Sequence, residues 1–414
     1  MDGPTILRAI ELLVGLLGLA ALVALVARAI RLPDTVALVI AGLVAGTLAT
    51  LLGAAPIDLP HELVLVVLLP GLVFEAAYRL HLGLLRRWIT GLSLLAVPGV
   101  VVTAAVVAGF LSVFAGLRPE LAFIVGAIVS ATDPAAVVAT FKRIRAPRSL
   151  ATLVDGESLL NDGTGLVLFT IAVGVLTVPI SLADAGVAFV AGVGLSIVVG
   201  LVAGIVAAAI VRYIDDPLIE LTISVVLAYG SYLVADELRL SGVLATVTAG
   251  VILGNFGGRV LTPGGVDAID TVWEFIAYLL TAIVFLLIGL AIPPERLLDS
   301  IVPIAWAVVG TLVARAIIIY GFLGVPSLAA PLPGFAARIP TGWLHVLFWS
   351  GLRGAVAMAL ALALPVDVPQ RDLLQEITFG VVLFTLLVQG TTVGRVVDRT
   401  VASSAAAESS AAAE

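Results

Sequence analysis

The sequence predicts an all-α polytopic membrane protein with about thirteen transmembrane helices. Three observations carry this reading. Charged residues make up 12% of the 414, against about 25% in an average soluble protein. Hydrophobic residues make up 61%, and the mean hydropathy is +1.22. The apolar residues also gather into long runs, and the loops between those runs alternate between rich and poor in basic residues.

A hydrocarbon core about 30 Å thick needs roughly 20 apolar residues per helix. In chain order the runs fall at 6–28, 34–53, 60–81, 89–115, 120–141, 150–178, 185–212, 218–236, 240–257, 270–292, 302–324, 340–364 and 373–397. The first follows MDGPTILRAIE without a small-residue cleavage site, so it reads as a retained span and not a signal peptide. Loops after odd-numbered runs carry Arg28, Arg31, Arg79, Arg86, Arg87, Lys142, Arg143, Arg145, Arg148, Arg212, Arg259 and Arg338, and the C-terminal end adds Arg395 and Arg399. The other side has only Arg8, Arg118, Arg239, Arg296 and Arg371. This bias puts the C-terminus in the cytoplasm and the N-terminus outside, in a plasma or inner membrane. The end, SSAAAESSAAAE, is low in complexity and reads as disordered.

Several functions are excluded early. With no cysteine there is neither a disulfide framework nor a thiolate metal site. A net charge of -7 argues against nucleic acid. The single lysine, Lys142, follows Phe141, so a phosphate-binding loop ending in Gly-Lys cannot form, and no DKTGT motif exists. Transport on this chain is therefore not driven by ATP, and no cofactor is expected. An enzyme is not expected either: GESLL lacks the final glycine of a Gly-x-Ser-x-Gly elbow, and His61, His81 and His345 fall near span ends.

The fifth run, FIVGAIVSATDPAAVVATF, holds Thr132, Asp133 and Pro134 near its middle. Proline removes a backbone donor and pushes the preceding residue out of the helical region, so a break is expected there. Freed backbone groups are tolerated at membrane depth only where they are buried or line a watery cavity. The twelfth run, WSGLRGAVAMAL, is interrupted by Gly351 and Gly354 around Arg353. Asp162-Gly163-Thr164 in the sixth run is echoed by Gln389-Gly390-Thr391 in the thirteenth. The two pairs suggest inverted repeats, spans four to six and eleven to thirteen, with a site where the breaks cross. Asp133 would then offset positive half-helix ends, and Arg353 or Arg315 the negative ones.

The sixth run opens with DGESLLNDGTG, residues 155–165. On a helix Ser158 and Asp162 share one face, and Glu157 and Asn161 the neighbouring one. A charge at the bilayer centre costs about 2.5 to 3.5 kcal/mol on insertion scales, so such acids face a cavity or a partner. A carboxylate with hydroxyl and carbonyl oxygens suits a small hard cation such as Na⁺, and the same carboxylate can hold a proton. Asp155 fits a cap at the span mouth. Glu75 either lines the ion path or is a surface acid, while Glu220 and Arg315 read as structural counter-charges.

With RLPDTVALVIAG at 31–42, LLPGLVFEAAYRL at 68–80, SATDPAAVVATFK at 130–142, LVDGESLLNDGTGLVLF at 153–169, SGVLATVTAGVILGN at 241–255, WSGLRGAVAMALAL at 349–362 and TFGVVLFTLLVQGTTV at 378–393, the chain resembles the sodium/proton antiporters of the NhaP/NHE branch of the monovalent cation:proton antiporter superfamily. The resemblance implies an NhaA-like antiporter fold and a homodimer in lipid, with a mobile core moving in an elevator-like way. It assigns 1–85 and 215–295 to a dimerisation domain, 86–180 and 296–400 to the ion-transport core, 181–214 to a linking span and 401–414 to a tail. It makes Asp162 the carboxylate for cation and proton, with Na⁺ held at Asp162, Ser158 and Thr132 and with Glu75 contributing. It further implies that Asn161 and Asp133 link the crossed helices and that Glu157 pairs with Arg353. Related electrogenic antiporters carry a second aspartate where Asn161 stands, so exchange here should be electroneutral. K⁺ in place of Na⁺ or Li⁺ is the first alternative, and a cation channel the second.

Overall fold

The computed structural model describes residues 3–30, 32–52, 63–144, 146–178, 180–257, 261–291, 294–325 and 339–400. The tail at 401–414 lies outside them. Every regular element among the described residues is a helix, as a chain in lipid requires, since a helix satisfies its own backbone groups.

In chain order the helices are α1 (Gly3–Ile30), α2 (Asp34–Leu51), α3 (Leu63–Tyr78), α4 (Leu82–Phe114), the half-helices α5a (Pro119–Ile128) and α5b (Ala135–Ile144), and α6 (Arg148–Thr177). They continue with α7 (Leu182–Val211), α8 (Pro217–Glu237), α9 (Gly242–Phe256), α10 (Pro263–Ala291) and α11 (Ile301–Gly324), then the half-helices α12a (Thr341–Trp349) and α12b (Ala355–Leu362), and α13 (Arg371–Thr400). Every apolar run of the sequence thus falls on a helix or a pair of half-helices. Among the described residues, 8 helices are long and apolar enough to cross a membrane by length and composition: α2, α4, α6, α7, α8, α10, α11 and α13.

Local chemistry sets several boundaries. Ser181 starts α7 by accepting from the Asp184 N–H at 3.1 Å. Asp216 starts α8 by accepting from Leu218 N–H at 2.8 Å, with Pro217 at the first helical position. Ser241 does the same for α9 through Leu244 N–H at 3.3 Å. The expectation for the fourth run needs correction: α4 begins at Leu82 and not near 89, so Arg86 and Arg87 lie on its exposed first turns and not in a loop. The helix bends at Val97–Pro98, where the ring removes a donor.

Packing sorts the helices into two sets. In one, α2 lies along α10, α3 packs on α9 and α10, and α8 packs on α9 and α10. In the other, α4 packs on α5a, α6 and α11, and α13 packs on α11 and α12b. The long helix α7 covers α8 and α9 and touches α6, and it turns Val187, Val190 and Val202 outward. Between the sets, α6 meets α9 and α3, and α12b meets α3 and α10.

Candidate functional site

The two interrupted segments meet at the seam between the helix sets. Residues 129–134 separate α5a from α5b, and residues 350–354 separate α12a from α12b. Their backbones touch where Asp133 N–H donates to Leu352 O at 2.8 Å. The Asp133 carboxylate receives the first free N–H of both following half-helices, from Ala135 on Oδ1 at 3.0 Å and from Ala355 on Oδ2 at 3.3 Å. One negative charge thus serves two positive helix N-termini.

The opposite ends receive cations. Arg353 Nη1 donates to Ser130 O and Ala131 O, both at 3.1 Å, at the C-terminal end of α5a. Arg315 donates to Leu347 O from Nε at 3.1 Å and Nη2 at 2.6 Å, near the end of α12a. Arg315 also forms the buried ion pair with Glu157, Nη2 lying 3.0 Å from Oε2 and Nη1 contacting Oε1. This corrects the expected pairing of Glu157 with Arg353. The Arg353 side chain points at the carbonyls of the other break, so the guanidinium within reach of Glu157 is that of Arg315, from α11.

The glycines around Arg353 have a steric reason. A Cβ on Gly354 would overlap the Asp133 carboxylate, and one on Gly351 would sit 2.8 Å from Arg315 Nε. Arg353 N–H donates to Thr385 Oγ1 at 3.0 Å, at the start of a wide-turn stretch of α13, Thr385–Gly390. Gln389, which echoes Asp162 in sequence, is buried in that stretch and does not line the cavity described below.

On α6 the two polar stripes serve different neighbours. Asn161 accepts from Thr132 N–H at 3.0 Å and donates to Thr132 Oγ1 at 2.8 Å. Both its side-chain bonds reach the break in α5, so Asn161 ties α6 to that break and does not link the two crossed segments, as Asp133 does. The reason is position: α6 packs on α5a along this face. Ser158 donates to Thr132 O. Asp162 is 7% exposed, and its Oδ1 accepts no hydrogen bond among the described residues.

A cavity of about 650 Å³ opens along the seam and reaches Thr132, Asp133, Ser158 and Asp162. Toward its mouth it is lined by Asp34, Glu75, Asp155 and Glu274, with Arg79 the basic side chain among its lining residues. Past Asp162 the seam closes: Ser241 Oγ donates to Gly163 O at 3.1 Å, and the Leu244 side chain lies against Gly163. The structure therefore brings Asp162, Ser158, Thr132 and Asp133 together and places Glu75 on the same cavity from the other helix set.

Glu220 is fully buried, and no ion pair to it is seen among the described residues. It accepts from Thr262 N–H at 3.1 Å and from Thr262 Oγ1 at 3.2 Å, and so caps the start of α10. Of the other site features, Asp34 and Glu274 gave no signal in sequence, because Asp34 at a helix start looks like a cap and a single acid such as Glu274 looks like a surface residue until the cavity beside it is seen.

The family model described as "Sodium/hydrogen exchanger, transmembrane" matches residues 17–399. The Na(+)/H(+) antiporter ApNhaP of Aphanothece halophytica is 38% identical over 379 residues, covering 89% of this chain and 70% of that one. The low-affinity Na(+)/H(+) antiporter NhaS1 of Synechocystis sp. is 37% identical over 365 residues, covering 87% and 68%. The solved structure of the sodium proton antiporter MjNhaP1 from Methanocaldococcus jannaschii at pH 8 has a TM-score of 0.77 at 21% identity, covering 96% of this chain and 99% of that one, a likeness of fold.

Proposed function

The chain belongs to the sodium/hydrogen exchanger family, and from that membership we propose that it exchanges Na⁺ or Li⁺ for H⁺, one for one and without net charge movement, with both ions competing for Asp162. The observation that carries this reading is a buried carboxylate with an unpartnered oxygen at the end of a cavity. The other buried charges there have opposite numbers. Glu157 faces Arg315, Asp133 faces two helix N-termini, and Arg353 faces a helix C-terminus. Asp162 makes no direct ion pair among the described residues, although Arg353 lies within electrostatic reach, and its carboxylate can take one proton or one monovalent cation.

Oxygen ligands suit a hard cation. The Asp162 carboxylate, the Ser158 hydroxyl and Thr132 supply them, and Glu75 approaches from across the seam. Asn161 is an amide, so α6 supplies no second carboxylate next to Asp162, and the nearby Asp133 carboxylate is taken up by the two half-helix N-termini. Alternate exposure of the site follows if α4 to α6 and α11 to α13 move as a core against α1 to α3 and α8 to α10, which we assign to dimer contacts, with α7 joining the two. The cavity mouth lies toward the arginine-rich loops, so we place it on the cytoplasmic side.

The test is a pH-gradient dye assay in proteoliposomes, with Na⁺, Li⁺ or K⁺ added with and without valinomycin. The expected result is recovery of the dye signal by Na⁺ or Li⁺ that is indifferent to the voltage clamp. Recovery by K⁺ alone would reassign the cation, and cation flux without proton movement would replace the exchanger by a channel.

A further inference from the structure

The mouth of the cavity holds an ion-pair relay in which Glu75 is joined by Arg79 and Glu274, two residues that the exchange chemistry above does not use. Arg79 Nε lies 2.5 Å from Glu75 Oε1, and Arg79 Nη2 lies 3.4 Å from Glu274 Oε2. The three side chains are graded in depth: Glu274 is 64% exposed, Arg79 39% and Glu75 18%. Glu75 on α3 and Arg79 at its C-terminal cap are four residues apart, the favourable order for an acid and a base, while Glu274 comes from α10.

The backbone beneath Arg79 is pinned. Asn255 Nδ2 donates to Leu80 O at 2.7 Å, and Asn255 Oδ1 accepts from Leu82 N–H at 2.6 Å, which fixes the turn from α3 into α4. Above this fixed backbone the long arginine side chain has Glu75 on its inner side and Glu274, with the Asp270 carbonyl at 3.4 Å, on its outer side.

We propose that Arg79 is a tethered competitor for the transported cation. It holds Glu75 in the arrangement seen here, and an incoming Na⁺ takes over Glu75 as Arg79 shifts to Glu274, so Arg79 sets the apparent affinity of the exchange. The inference rests on the exchange reading above. Its physical basis is substitution of like for like. The guanidinium and Na⁺ each carry one positive charge, and Glu75 cannot serve both in the same geometry. Glu274 keeps the displaced guanidinium paired, which lowers the cost of moving it.

The test is a double-mutant cycle on Na⁺-driven exchange in proteoliposomes, separating KM from kcat. Arg79→Gln should lower the KM for Na⁺ about two- to fivefold, the range of a partly exposed ion pair, with kcat little changed. Glu274→Gln alone should raise KM by a similar factor, because Arg79 then has only Glu75. In the Arg79→Gln background the Glu274 change should have no effect. Simple attraction of cations to an acidic mouth predicts additive effects that fade on adding choline chloride, and that result would overturn the proposal. So would an unchanged KM in Arg79→Gln. The midpoint of Na⁺-dependent thermal stabilisation in detergent gives the same comparison without transport, and it shows that each variant is folded. Failure of the folded wild type to exchange any cation would overturn the exchange reading itself, and with it this inference.

Discussion

At the scale of the residue, the site turns on a few side chains whose surroundings leave little choice of role. Asp162→Asn removes a buried cavity carboxylate whose Oδ1 has no hydrogen-bond partner among the described residues. Exchange should fall to the background of empty liposomes while the thermal melting of the protein is kept. With the proton and the cation sharing one carboxylate, lowering the pH should raise the KM for Na⁺ and leave the maximal rate at saturating Na⁺ unchanged; a pH-dependent maximal rate with constant KM would contradict a shared site. Gly354→Ala puts a methyl group into the Asp133 carboxylate. Overpacking of this kind typically costs about 1 to 3 kcal/mol, visible as a lower melting temperature, and the variant should lose transport because both half-helix caps are disturbed. Asp162, Ser158 and Asp133 were legible in the sequence because a polar side chain in an apolar run has to be accounted for. The partner of Glu157 was not. Two buried arginines stood in suitable runs, and only the fold shows that Arg315 on α11 reaches Glu157 while Arg353 turns to the carbonyls of α5a.

At the scale of the element, each break is held by its own set of partners. Asn161→Ala leaves the Thr132 N–H without its acceptor and unties α6 from the break in α5. Exchange should drop sharply while the helix content measured by circular dichroism stays the same. Glu157→Gln leaves Arg315 with a buried charge and no counter-charge, a change that typically costs about 3 to 5 kcal/mol, so the melting temperature in detergent should fall well below that of the wild type. The helices themselves were readable from apolar length, and the breaks from proline and glycine. The start of α4 was misplaced because Arg86 and Arg87 break the apolar run, although their long side chains sit exposed on the helix surface. The wide turn in α13 had no signal, since nothing in TLLVQG marks a backbone that opens by one residue.

At the scale of the whole molecule, two helix sets enclose a cavity that ends at Asp162, and the seam beyond is shut by α6 against α9. Exchange that moves no net charge should run at the same rate whether the potential is clamped at zero or at a large value of either sign, as checked with valinomycin and set K⁺ gradients. The helices were visible from the apolar runs, but the cavity was not, because it depends on which helix faces lie opposite across the seam. Since Asp133 grips the starts of α5b and α12b together and also bonds to the backbone of the second break, neither half-helix can swing open alone without stripping a carboxylate of its donors. If the proposed exchange opens the site to the far side, it does so by displacing a stiff block, and a stiff block travelling through lipid meets drag. Turnover should then slow in thicker or more viscous bilayers even where the affinity for Na⁺ is untouched, making the membrane itself a brake on the exchanger.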